Sequence, residues 1–210
     1  MLNLTGIKNI IFDLGGVILN IDYNKTANAF RQIGLKNFDD IYSQAKQNQV
    51  FDKLETGEFT SNEFRKYIKG IVPSLQYSDI DKAWNAMLLD LPVERIVLLK
   101  KLKKKYRLFL LSNTNEIHIK AFRKIIQSSY DENIFDTIFE HQYYSSEMGM
   151  RKPNSDCFQC VLEKNSLDPS ETLFIDDSIQ HVEGARKLKI KACHLIPGQD
   201  ITELFLDKAQ

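Results

Sequence analysis

Five side chains in this sequence have types and settings that suit chemistry: Asp13, Ser112, Lys152 and the adjacent pair Asp176 and Asp177. Asp13, Ser112 and the acidic pair each close a short apolar run. Ile10-Ile11-Phe12 leads into Asp13, Leu108-Phe109-Leu110-Leu111 into Ser112, and Leu173-Phe174-Ile175 into Asp176. Gly15 and Gly16 follow Asp13 and let the backbone turn sharply. Lys152 lies in a loop, Met148 to Asn154, where the following Pro153 restricts its backbone. If the apolar runs are strands of one parallel sheet, their C-terminal ends share one edge, and that edge is where ligands bind in open α/β folds. Three carboxylates brought together there repel one another unless a cation sits among them. Oxygen ligands at such density suit Mg²⁺, which takes one or two carboxylates, waters and substrate phosphate. A carboxylate nucleophile, Mg²⁺ and a lysine together describe phosphoryl transfer through an aspartyl-phosphate.

Other reactive residues make weaker sites. Cys157 and Cys160 have C-x-x-C spacing, but zinc needs two more ligands, and Cys193 stands alone. At i,i+3 on a helix the pair reads as core. His118 and His181 follow Ser112 and Asp177 by about a helical turn and can face the same edge, whereas His141 and His194 show no partner. For all four histidines a structural or surface role is the default. No Gly-x-Ser-x-Gly elbow surrounds Ser112, which argues against a serine hydrolase. The run from Lys100 to Lys105 ends a helix, where cations suit the dipole.

The elements that must position these groups alternate. Short apolar runs at 9–12, 108–112, 173–176 and 191–195 read as buried strands, with a weaker candidate at Phe135 to Phe139. Between them lie amphipathic stretches. Pro92 sits at the first helical position of one running to Lys104, and others span Glu116 to Ser129, Asp156 to Asn165 and Ile179 to Leu188. Strands alternating with helices through short loops predict an α/β fold with a parallel sheet covered on both faces. No strand signal appears between about residues 20 and 90. Helices are expected there after a cap at Asp22 or Asn24, over Phe38 to Val50, over Phe51 to Gly57, after a Thr60/Glu63 capping box, and over Ser78 to Leu89. The 28 basic residues balance 28 acidic ones, so no basic footprint for nucleic acid or a membrane surface is present. The N-terminal stretch reads as neither signal peptide nor membrane span, and three cysteines fit a reducing compartment, so a cytoplasmic protein is expected.

Four blocks in order resemble the haloacid dehalogenase-like (HAD) superfamily of hydrolases. They are Ile10-Ile11-Phe12-Asp13-Leu14-Gly15-Gly16-Val17, Leu110-Leu111-Ser112-Asn113, Gly149-Met150-Arg151-Lys152-Pro153 and Phe174-Ile175-Asp176-Asp177-Ser178. The resemblance implies a Rossmann-like three-layer α/β/α core, residues 1–16 and 91–210, with an all-helical cap, residues 17–90, inserted after the first strand. It implies that Asp13 attacks phosphorus and ligates Mg²⁺ together with the Gly15 carbonyl and Asp176 and Asp177. It assigns the phosphate to Ser112, Asn113 and the backbone there, and charge neutralisation to Lys152. The implied activity is Mg²⁺-dependent hydrolysis of a small phosphorylated metabolite, such as a sugar phosphate. One position departs from the usual phosphatase pattern: Gly15 stands where a second Asp serves as general acid and base. The sequence here is similar to the subgroup with Phe-Asp-Leu-Gly-Asn/Gly-Val, which includes bacterial α-D-glucose-1-phosphate phosphatases. Asp22 is a candidate surrogate, although a helix cap explains it as well. Two alternatives stand beside this expectation. One is a 2-haloacid dehalogenase using the same Asp13 without metal, against which the Asp176-Asp177 pair argues. The other is a catalytically weak ligand-binding protein on the same scaffold.

Overall fold

A computed structural model describes residues 2–35, 38, 42–43, 46–47, 49–130 and 134–205. Its main sheet has five parallel strands in the order β5-β4-β1-β6-β7. These are β1 (Asn9–Phe12), β4 (Arg107–Ser112), β5 (His141–Tyr144), β6 (Thr172–Asp176) and β7 (Lys191–His194). A two-residue ladder, β2 (Tyr42–Ser43) with β3 (Lys46–Gln47), lies apart from it. Side chains alternate across a strand, and here the alternation separates two cores. Ile10, Phe12, Leu108, Leu110, Leu173 and Ile175 face one apolar cluster, and Ile11, Phe109, Leu111 and Phe174 face the other. With both faces buried, the inner strands β4, β1 and β6 read as unbroken apolar runs.

Helices flank the sheet: α5 (Val93–Lys103), α6 (Glu116–Ser129), α7 (Ile134–Ile138), α8 (Ser145–Met148), α9 (Ser155–Lys164), α10 (Ile179–Lys187) and α11 (Ile201–Leu204). Pro92 is the N-cap of α5 rather than its first helical residue, because its ψ of 135° is extended. The weak strand expected at Phe135 to Phe139 is instead helix α7, and the strand follows at His141–Tyr144. Ile134, Phe135 and Ile138 are all buried, which is a helical spacing.

Between β1 and β4 come α1 (Tyr23–Gln32), α2 (Gln49–Thr56), α3 (Ser61–Ile71) and α4 (Tyr77–Asn85). Asp22 caps α1 by accepting from the Asn24 N–H at 2.9 Å. Thr60 and Glu63 form the expected capping box of α3. The helix expected over Phe38 to Val50 falls largely outside the described residues; within it, the β2/β3 ladder pairs Tyr42 with Gln47 instead. These helices close around aromatic side chains. Phe51 stacks on Trp84 at 5.1 Å, and Phe30 on Phe38 at 4.6 Å. Ile117 of α6 joins this cluster from the sheet side, whereas Val17, Ile18 and Leu19 pack into the sheet's own core. No helix among the described residues is long and apolar enough to cross a membrane.

Candidate active site

The β1–β6 register pairs Phe12 with Ile175, so the next residues, Asp13 and Asp176, stand side by side as the two strands end. Asp13 Oδ1 and Asp176 Oδ2 both accept from Lys152 Nζ, at 2.7 and 2.6 Å. Lys152 has no exposed surface. A buried ammonium needs such partners, since a lone charge there costs several kcal/mol. Burial works against the charged amine, but the two carboxylates outweigh it and hold its pKa above the ordinary value. The Lys152 backbone is held in turn by Asn113, whose side-chain amide accepts from the Lys152 N–H and donates to the Lys152 carbonyl, both at 2.9 Å. Asn113 thus ties the lysine loop to the end of β4.

Asp176 is fully engaged. Besides Lys152, it accepts from the Ser178 N–H at 2.8 Å, and His181 Nδ1 lies 3.0 Å from both its oxygens. Burial raises its pKa, but Lys152 and then His181 more than offset this and hold it at about 2. Asp177 differs. No other residue's hydrogen bond or ion pair reaches its carboxylate among the described residues; burial, then the charges of Asp13 and Asp176, push it up to about 7 against Lys152 and a bond from its own N–H. His194 Nε2 donates to its backbone carbonyl at 3.0 Å. Gly16 makes room for it: with φ at 76°, a Cβ there would lie 2.2 Å from Asp177 Oδ2.

Oxygens of Asp13, Asp176 and Asp177 lie within 4.8 Å of one another, with one ammonium among them. That excess of negative charge, made of oxygen donors only, fits a hard divalent cation. Asp13 and Asp177 would hold it, with the Gly15 carbonyl between them in sequence. Asp176 serves Lys152 and His181 first. Asp13, Gly15, Ser112, Asn113, Asp177 and His181 line one cleft of about 710 Å³.

The other candidates separate. Asp22 does not line the cleft; it caps α1. His118 lines it but is committed to structure: Nε2 donates to the Trp84 carbonyl at 3.1 Å, and the ring stacks on Trp84 at 4.9 Å. Burial lowers its pKa to about 4 against the pull of that carbonyl, so it is neutral. Cys157 is buried among Phe158 and Val161, and its thiol is pushed up to about 12 by burial. The cleft also contains residues that sequence reasoning missed, notably Tyr23, Asp52, Glu55 and Arg151. Arg151 Nη1 pairs with Asp52, and Nη2 lies 2.9 Å from Glu55 Oε2. Nothing in the sequence marks this trio except that Arg151 precedes Lys152.

The family model for haloacid dehalogenase-like hydrolases matches residues 7–189. The chain belongs to that family. The D-ribitol-5-phosphate phosphatase of Bacteroides thetaiotaomicron is 30% identical over 183 residues, 87% of this chain and 88% of that one. A wild-type HAD family enzyme from B. thetaiotaomicron, solved with magnesium and inorganic phosphate, superimposes with a TM-score of 0.85 at 37% identity, covering 95% of this chain and all of that one. The L-2-haloacid dehalogenase of Xanthobacter autotrophicus, at 18% identity and a TM-score of 0.57 over 90% of this chain and 77% of that one, shares the HAD fold.

Proposed function

We propose that this HAD-like hydrolase is a Mg²⁺-dependent phosphatase that acts on a small phosphate ester, a sugar or polyol phosphate, through a phosphorylated Asp13. The observation that carries this is the contrast between neighbouring acids: Asp176 is saturated by Lys152 and His181, while the Asp177 carboxylate, beside Asp13, meets no other residue's donor among the described residues. A dehalogenase needs no such free carboxylate. Mg²⁺ bound by Asp13 and Asp177 would supply charge neutralisation for the incoming phosphoryl oxygens. Lys152 holds Asp13 with one oxygen bonded, which leaves the other to attack phosphorus. Ser112, at the end of β4, and the Asn113 N–H that follows would offer donors to the phosphoryl oxygens, the Thr114 N–H being held by Ser145 Oγ. The P–O bond to the alcohol breaks as the Asp13 carboxylate forms its own, and the departing alkoxide takes its proton from water, since Gly15 carries no acid. Water then cleaves the acyl phosphate, returning Asp13 and releasing phosphate. The ribitol phosphate activity of the relative supports a polyhydroxylated substrate.

Turnover of p-nitrophenyl phosphate tests the reading. Activity is expected with Mg²⁺, is abolished by EDTA and is restored by added Mg²⁺. Full activity in EDTA would favour the metal-free dehalogenase chemistry.

A further inference from the structure

The cap wall of the cleft carries a polar trio that the phosphoryl chemistry does not use. Glu55 sits near the end of α2, and Asp52 one turn earlier on the same helix. Both reach Arg151, in the loop that carries Lys152. The Glu55 side chain is 16% exposed. Its Oε2 is buried and, although ion-paired with Arg151 Nη2 at 2.9 Å, has no aligned hydrogen bond. A buried carboxylate oxygen whose nearest donor is misaligned is incompletely satisfied, and a ligand hydroxyl that donates to it recovers part of that cost.

The charge of the cleft points the same way. With Asp13 and Asp177 assigned to Mg²⁺, Asp52 and Glu55 remain, and Arg151 is the only lysine or arginine among the described lining residues. Lys152 is held by Asp13 and Asp176. A leaving group bearing a second anion would therefore meet carboxylates. Burial, then the charges of Asp52 and Asp13, push Glu55 up to about 7, against Arg151 and Lys152. As a carboxylate it accepts from a hydroxyl, and protonated it donates to one.

We infer that Glu55, steered by Arg151, is a specificity-determining residue that binds a hydroxyl of an uncharged, polyhydroxylated leaving group and disfavours a leaving group with a second anion. This rests on the phosphatase reading and adds the residue that reads the alcohol.

The test compares kcat/KM for ribitol 5-phosphate, n-pentyl phosphate and 2-phosphoglycolate. The first two share a primary alkyl leaving oxygen and differ in hydroxyls; the third adds a carboxylate. Wild type is expected to prefer ribitol 5-phosphate over pentyl phosphate by at least tenfold. Glu55→Gln and Glu55→Ala should each shrink that ratio at least fivefold, mainly through KM, and raise phosphoglycolate relative to pentyl phosphate. A wild-type ratio near one, which needs no variant, overturns the proposal; so does an unchanged ratio in variants whose circular dichroism matches wild type. If p-nitrophenyl phosphate is turned over and the ribitol preference is absent, this inference alone fails. If no phosphate ester is turned over with Mg²⁺, the phosphatase reading fails and takes the inference with it.

Discussion

Asp13 and Lys152 hold each other in place at the end of β1, and the two can be separated experimentally. Asp13→Asn keeps the shape and one hydrogen-bond acceptor for Lys152 Nζ, and Asp176 still neutralises the ammonium. The variant should therefore fold, with a thermal midpoint near that of wild type, yet lose nearly all turnover. Beryllofluoride, an aspartyl-phosphate mimic, should bind wild type and not the variant. Ordinary turnover by Asp13→Asn would rule out the covalent route. His118 yields a prediction about stability rather than rate. Its folded pKa of about 4 lies below its usual 6.5, so between these values the unfolded chain takes up a proton that the folded chain refuses. The contribution is complete above pH 6.5 and lost as pH falls through 4, and a gap of this size corresponds to about 3 kcal/mol. Urea denaturation across that range should show the slope, and His118→Gln should flatten it. An unaltered slope in the variant would assign the acid sensitivity to other groups.

The turn that leaves β1 decides what Gly15 can become. The two glycines are not equivalent. Gly16 has φ at 76° and faces Asp177, so a side chain there is both strained and blocked. Gly15 has no left-handed φ, and an added Cβ would meet only Ile21 Cδ1, at 3.1 Å, the tip of a side chain that can shift. Gly15→Asp is therefore expected to fold. In wild type, with no acid at this position, kcat/KM should fall steeply as leaving-group pKa rises, since a positioned general acid contributes roughly 10²–10⁴ in rate for a poor leaving group. The substitution should flatten that dependence. Equal rates for p-nitrophenyl and glycerol phosphates in wild type would mean that another group already donates the proton. The elements themselves were legible in proportion to their burial. β1, β4 and β6 lie inside the sheet and read as unbroken apolar runs that end in their functional residues. β5, at the sheet edge, has His141 exposed and Gln142 and Tyr143 half-buried, and the apolar stretch just before it is a helix. Asp13, Ser112 and Asp177 were legible from their places at strand ends, and Lys152 from its loop before Pro153. Glu55 and Arg151 were illegible because each looks like an ordinary surface charge, and their meeting depends on how α2 settles over the loop, at a sequence distance no local pattern spans.

At the scale of the whole molecule, the helices between β1 and β4 are fastened to the sheet domain at several places. Ser61 Oγ donates to Glu116 Oε2 at 2.6 Å, His118 binds and stacks on Trp84, and Arg151 joins Asp52 and Glu55. Gly57, with φ at 75°, brings the turn after α2 so close to α8 that a Cβ would lie 2.4 Å from the Ser146 carbonyl oxygen. The apolar contribution of Ile117 matters most for energetics. It grows from a helix of the sheet domain but is 3% exposed within the aromatic cluster of Phe51, Phe64 and Trp84. Neither part can lose its packing without uncovering the other, so heating should melt them together. Differential scanning calorimetry is expected to give one peak whose van't Hoff and calorimetric enthalpies agree. Ile117→Ala, which empties a shared site at a cost of about 2–5 kcal/mol, should lower that peak and begin to split it; two resolved peaks in wild type would contradict this coupling. An isoleucine with no role in the chemistry would thereby make the sheet and the helices between β1 and β4 behave, calorimetrically, as a single cooperative unit.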